Sequence, residues 1–115
     1  MSKIGSAGIL VLMLVAGCAS EPAKPVLVPL QPIPHLRYPL AMLQQGREGD
    51  VTVECTITTE GTTKDCIATR SAGGAAFVTA AIEFESRMRF APVLRDGVPV
   101  EIPRHEFQVS FRLGR

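Results

Sequence analysis

The sequence predicts an α+β domain: a three-stranded antiparallel sheet with one long and one short helix on one face. Three observations carry that prediction. Apolar and polar residues alternate in two stretches, residues 51–58 and 106–113, and period two is the pattern of a half-buried strand. Residues 77–88 repeat apolar positions at spacings of three and four, as a helix with one buried face does. The turn residues between these stretches set the order helix, strand, strand, helix, strand.

Each element has its own signal. Pro39 suits the first turn of a short helix, residues 39–45, because its missing N–H would have no partner there. Leu40, Ala41 and Leu43 give that helix an apolar side and Gly46 can end it. In the first strand Val51, Val53, Cys55 and Ile57 alternate with Thr52, Glu54, Thr56 and Thr58. Thr59-Glu60-Gly61-Thr62 is turn chemistry, with Gly61 free to take positive φ. Residues 63–70 return with Cys66 and Ala68 on one face.

Two hairpin registers are open. An even loop centred on Glu60-Gly61 sets Cys55 opposite Cys66, with Cβ atoms within about 4.5–5.5 Å, close to the roughly 3.5–4.5 Å a bridge needs. A three-residue loop with a bulge opposes Cys55 to Asp65 and turns Cys66 to the other face. A Cys55–Cys66 disulfide is therefore expected and reports on the register; the alternative is two buried, reduced thiols.

Ser71-Ala72-Gly73-Gly74 breaks the second strand. A long helix over residues 75–89 follows, with Phe77, Ala80, Ala81, Phe84 and Met88 as its apolar stripe and Pro92 as its stop. Asp96-Gly97 is a strong turn pair between Val93-Leu94 and residues 98–102, and Pro103 limits pairing there. The last strand alternates Phe107, Val109, Phe111 and Leu113 with Glu106, Gln108, Ser110 and Arg112. A hairpin followed by a helix crossing to a third strand puts the first strand in the middle.

The N-terminus reads differently. Lys3 is the only charge before Glu21, and the run from Ile4 to Ala16 is apolar or small except for Ser6. That is a secretion signal, residues 1–17, shorter than the roughly 20 apolar residues of a spanning helix. Leu14-Val15-Ala16-Gly17-Cys18 resembles the bacterial lipobox, which implies cleavage before Cys18 and its acylation, palmitate included. Ala19, not aspartate, follows, and by the same resemblance the outer membrane is favoured. Pro22, Pro25, Pro29, Pro32 and Pro34 make residues 18–34 a stiff linker reaching roughly 50 Å at most. Residues 35–115 form one small domain. Without Lys3 the chain carries 11 basic and 11 acidic side chains in no like-charged block, which argues against a nucleic-acid partner. Export places Cys55 and Cys66 in an oxidising compartment.

Six motifs occur in order: Tyr38-Pro39 with Ala41; Gly49-Asp50-Val51-Thr52-Val53; Thr59-Glu60-Gly61; Arg70-Ser71-Ala72-Gly73; Arg89-Phe90-Ala91-Pro92; and Asp96-Gly97-Val98-Pro99-Val100. Together they resemble the C-terminal domain of the TonB energy-transducer family over about residues 34–113. Met88 stands where that family often has tryptophan, and Cys55 and Cys66 replace its usual apolar residues. Typical members also begin with an uncleaved inner-membrane helix that engages an ion-driven motor, followed by a long Pro-rich spacer. The resemblance implies a periplasmic domain, without cofactor, that binds an extended segment of an outer-membrane receptor at its last strand. Here that strand is Glu106, Phe107, Gln108, Val109, Ser110, Phe111 and Arg112. It also implies that such domains can form homodimers through edge strands.

The expected function is a lipid-anchored, periplasm-facing binding module for a receptor segment or other envelope protein, accessory to TonB-dependent transport. A structural or cell-wall-associated envelope lipoprotein is the alternative. An enzyme is not expected. His35 and His105 read as solvated, the two body cysteines as a crosslink, and no phosphate loop or metal-ligand cluster is visible. Asp65, Glu83 and Glu85 read as solvated charges, and Arg70, Arg87 and Arg89 as surface cations paired with nearby carboxylates.

Overall fold

A computed structural model describes residues 25–114; the signal segment and Cys18 lie outside the described residues. The element order is α1 (Leu40–Gln44), β1 (Gly49–Ile57), β2 (Thr63–Ala72), α2 (Ala75–Ser86), β3 (Leu94–Arg95), β4 (Val98–Pro99) and β5 (Ile102–Phe111). The main sheet runs β2-β1-β5, so the first strand is in the middle, and both of its pairings are antiparallel. β3 and β4 form a separate two-stranded ribbon. Its turn is Asp96-Gly97, both residues at positive φ (54° and 79°), as a two-residue hairpin loop demands.

Alternation places Val51, Val53, Cys55 and Ile57 under α2, where all four are buried. Val51, Val53, Cys55, Phe77, Ala81, Val109 and Phe111 form the larger apolar cluster. Phe77 and Phe111 sit 4.7 Å apart between ring centroids, and Tyr38 meets both edge-on at 5.7 Å. Gly49 opens β1 because a Cβ there would lie 2.4 Å from the Phe77 ring. A smaller cluster of Ile57, Met88, Phe90 and Ile102 closes the hairpin end of the sheet. α2 lies over β2 and β1 and barely reaches β5. The outer face of the sheet is mostly polar, with Ile67 of β2 exposed on it opposite Glu54.

The hairpin combines features of both expected registers. Thr58 donates its N–H to Thr62 O at 2.8 Å, so the loop holds three residues, ending in Gly61 at φ 89°. Continued unbroken, that register would oppose Cys55 to Asp65. The register instead shifts between Glu54 and Thr56, and Asp65 takes φ 54° as the extra residue of a bulge. Cys66 is thereby returned to the core side, where a disulfide joins it to Cys55 across a Cα–Cα distance of 4.1 Å.

Four sequence expectations need correction. The long helix ends at Ser86, not near residue 89. The chain must then extend so that Phe90 can donate to Gly61 O at 2.8 Å and Thr62 can bridge Arg89. A Cβ on Gly61 would lie 1.9 Å from Phe90 O, which accounts for glycine in that turn. In α1 it is Met42 that packs on the core, while Leu40 and Leu43 are exposed. Glu85 is buried, not solvated. Finally, the end of the Pro-rich segment is not free of the domain. Ala91 donates to Val28 O and Leu30 to Arg89 O, each at 2.9 Å, and Leu27 packs into the smaller cluster.

Candidate functional site

A sheet three strands wide has two edges, and the two differ. β2 is irregular twice, between Thr52 and Val53 of its partner and again between Glu54 and Thr56. β5 is regular from His105, opposite Cys55, to Phe111, opposite Gly49. Only its first residues depart, where Pro103 lacks an N–H and Arg104 takes φ 52° beside a register shift. Among the described residues no strand pairs with the outer side of β5. A strand paired on one side leaves every second backbone N–H and C=O directed outward. Residues 105–111 therefore present the longer uninterrupted template.

The residues predicted for docking sort by face. Phe107, Val109 and Phe111 turn toward the core, Val109 and Phe111 buried and Phe107 half-buried. Phe107 stacks on Phe90 at 5.6 Å with the rings 16° apart. Glu106, Gln108, Ser110 and Arg112 are exposed on the outer side. Arg112 lies one residue past the end of β5, not within it as expected, yet three of these four, Arg112 included, fasten this end of the chain to β1. Thr52 Oγ1 donates to Gln108 Oε1. Ser110 Oγ donates to Asp50 Oδ1 at 3.0 Å, and Arg112 Nη2 pairs with the same oxygen at 2.8 Å. Arg112 Nη1 also donates to Gly49 O at 3.0 Å. Half-exposed ion pairs of this kind contribute little to stability; they tie the outer face of β5 to β1.

The disulfide lies elsewhere, tying β1 to β2 and leaving the β5 edge untouched. His35 and His105 lie far apart in role: the His35 carbonyl accepts from Arg87 at 3.1 Å, and the His105 ring lies 4.9 Å from Phe107. Arg87 also reaches Glu83 at 3.9 Å, the surface pairing expected of it. Among the described residues no group of three His, Cys, Asp or Glu side chains could hold a metal ion.

Sequence reasoning missed Glu85. It is 4 % exposed, its Oε1 has no hydrogen-bond partner among the described residues, and burial pushes its pKa up to about 7. A signal existed: Phe77, Ala81 and Glu85 follow one another at spacings of four, on a single helical stripe. The Glu85 carbonyl also accepts from Thr63 Oγ1 at 2.8 Å, so the residue sits where α2 meets the start of β2.

Comparison with known proteins agrees with this geometry. The sequence profile of the Gram-negative bacterial TonB protein C-terminal domain matches residues 34–113. The solution structure of the Pseudomonas aeruginosa TonB C-terminal domain superposes with a TM-score of 0.65 at 25% identity, covering 77% of this chain and 88% of that one. The TonB2 protein of Vibrio anguillarum gives 0.60 at 24% identity, covering 88% and 94%. The Helicobacter pylori TonB C-terminal domain gives 0.50 at 22%, covering 70% and 71%. No curated protein sequence matches significantly. The motifs, the β2-β1-β5 sheet and the profile match agree: the chain belongs to the TonB C-terminal domain family, whose members are protein-interaction domains of the cell envelope.

Proposed function

We propose that this protein is a periplasm-facing lipoprotein, held by lipid on Cys18, that binds an extended segment of an outer-membrane receptor or other envelope protein by adding it to the edge of β5. The observation that carries the reading is the uninterrupted edge over residues 105–111, beside an opposite edge broken by two bulges. Main-chain hydrogen bonds supply affinity in this mode and alternate side chains supply selectivity.

The same account assigns an accessory role and not force transmission. Leu27 packs into the core and residues 28–30 pair with the domain, so only residues 19–26 separate the lipid from the folded body, a reach of roughly 25 Å. A lipid does not couple to a motor that works through a membrane helix. A tether of that length keeps the binding edge close to the surface that carries it.

Photo-crosslinking in whole cells tests the proposal. A photoreactive side chain at Gln108 is expected to capture an outer-membrane protein through a segment that mass spectrometry maps to an extended periplasmic stretch. The same group at Ile67, on β2, is expected to capture none. Equal capture at both positions, or none at Gln108, contradicts the proposal and favours a structural envelope role.

A further inference from the structure

One outward side chain of β5 is unlike its neighbours. Gln108, Ser110 and Arg112 direct their polar atoms at β1. The Glu106 side chain has no hydrogen bond or ion pair among the described residues, and it stands directly opposite Glu54 in the ladder. Like charges opposed across neighbouring strands destabilise the pair. Arg104 Nε lies 4.0 Å from Glu54 Oε1 with its own side chain 82% exposed, so it offsets Glu54 weakly, and no ion pair to Glu106 forms among the described residues. Beside the two carboxylates is a hollow of about 500 Å³, whose wall also includes Pro25, Ile102, Pro103, His105 and the one cation Arg104, so the two glutamates outnumber the cation there. On the opposite face of the strand Phe107 is only half-buried, because α2 covers β1 and β2 and scarcely β5.

A chain added to β5 would alternate its side chains in step with those of the strand. The residue beside Glu106 would share the outer face, and its immediate neighbours would share the face of Phe107. We infer that β5 selects an extended segment carrying a lysine or arginine beside Glu106, flanked by aliphatic residues that pack against Phe107. This deepens the strand-addition reading and rests on it. A cation relieves the Glu54–Glu106 repulsion, a neutral residue leaves it, and an acidic residue adds a third negative charge. The hollow accepts the aliphatic stem of a long basic side chain while its charged end stays solvated.

The test uses the mature lipidated chain in neutral detergent micelles and three fluorescent ten-residue peptides of alternating valine and threonine. They differ only in one threonine, replaced by lysine, glutamine or glutamate. The lysine peptide is expected to bind about fivefold more tightly than the glutamate peptide, with glutamine between them, and the spread should narrow in high salt. Glu106→Gln should reduce the spread to about twofold or less, and Glu106→Lys should reverse the order. Equal binding of all three peptides overturns the charge selection and leaves strand addition standing. Binding of none overturns strand addition and this inference with it. A lysine preference that survives Glu106→Gln also overturns the inference, because the selection would then lie elsewhere.

Discussion

Glu85 gives the domain a pH dependence of definite sign. An unfolded glutamate ionises near 4.5, whereas the buried carboxyl holds its proton up to about 7. The stability associated with the neutral carboxyl is complete below pH 4.5 and is lost as pH rises to about 7. At ~1.36 kcal/mol for each pH unit, the whole interval amounts to roughly 3 kcal/mol. That is a sizeable share of the ~5–15 kcal/mol that separates folded from unfolded states of a domain. Glu85→Gln keeps the shape and removes the ionisation. Its unfolding free energy should match the wild type within about 1 kcal/mol at pH 4.5 and exceed it by up to about 3 kcal/mol at pH 8, raising the melting temperature on the order of 10 °C. Urea unfolding of both proteins across pH 4.5–8, with the disulfide intact, measures the difference directly and cancels the other titrating groups. Parallel pH profiles for the two proteins would refute the reasoning.

Further predictions concern the elements around that site. Gly61→Ala puts a Cβ 1.9 Å from Phe90 O at a φ of 89°; it should cost about 2 kcal/mol or more, read by thermal unfolding. Replacing both Cys55 and Cys66 by alanine removes an 11-residue crosslink and should cost about 3 kcal/mol by loop entropy, while mass spectrometry of the unreduced wild type should find no free thiol at either position. Leu27→Ala should cost about 1 kcal/mol and accelerate amide exchange at Leu30 and Ala91, which it would otherwise leave unchanged if residues 28–30 were not docked. Cys18→Ser should move the protein out of the membrane fraction; unchanged fractionation would count against the lipid anchor.

The strands and turns were legible in the sequence because each is set locally. Period-two alternation marked β1 and the body of β5, although β5 starts at Ile102, four residues before the alternating stretch, runs through Pro103 and ends at Phe111; Asp96-Gly97 marked the short ribbon, and β-branched residues with Gly61 marked the hairpin. What escaped the sequence depends on distant contacts. Met88 continues the apolar spacing of α2, yet the helix ends at Ser86 and the chain beyond it pairs with Gly61 and with residues 28–30. Prolines make residues 25–34 read as spacer, and nothing local reveals that Leu27 has a place in the core. The Asp65 bulge follows from the need to return Cys66 to the core side, a demand set by the opposite strand. Of the docking edge, the alternation was visible, but its advantage over β2 rests on the two β2 irregularities, which no periodicity announces. The solitary state of Glu106 likewise depends on the register that faces it with Glu54.

The most direct test of the central claim is an NMR titration of the isotopically labelled mature chain with extended peptides from the periplasmic segments of outer-membrane receptors. The account predicts shifts concentrated at residues 106–112, with the β2 amides nearly unmoved. No shift at millimolar peptide, or shifts centred on β2, would contradict strand addition at β5 while leaving the fold and the disulfide in place.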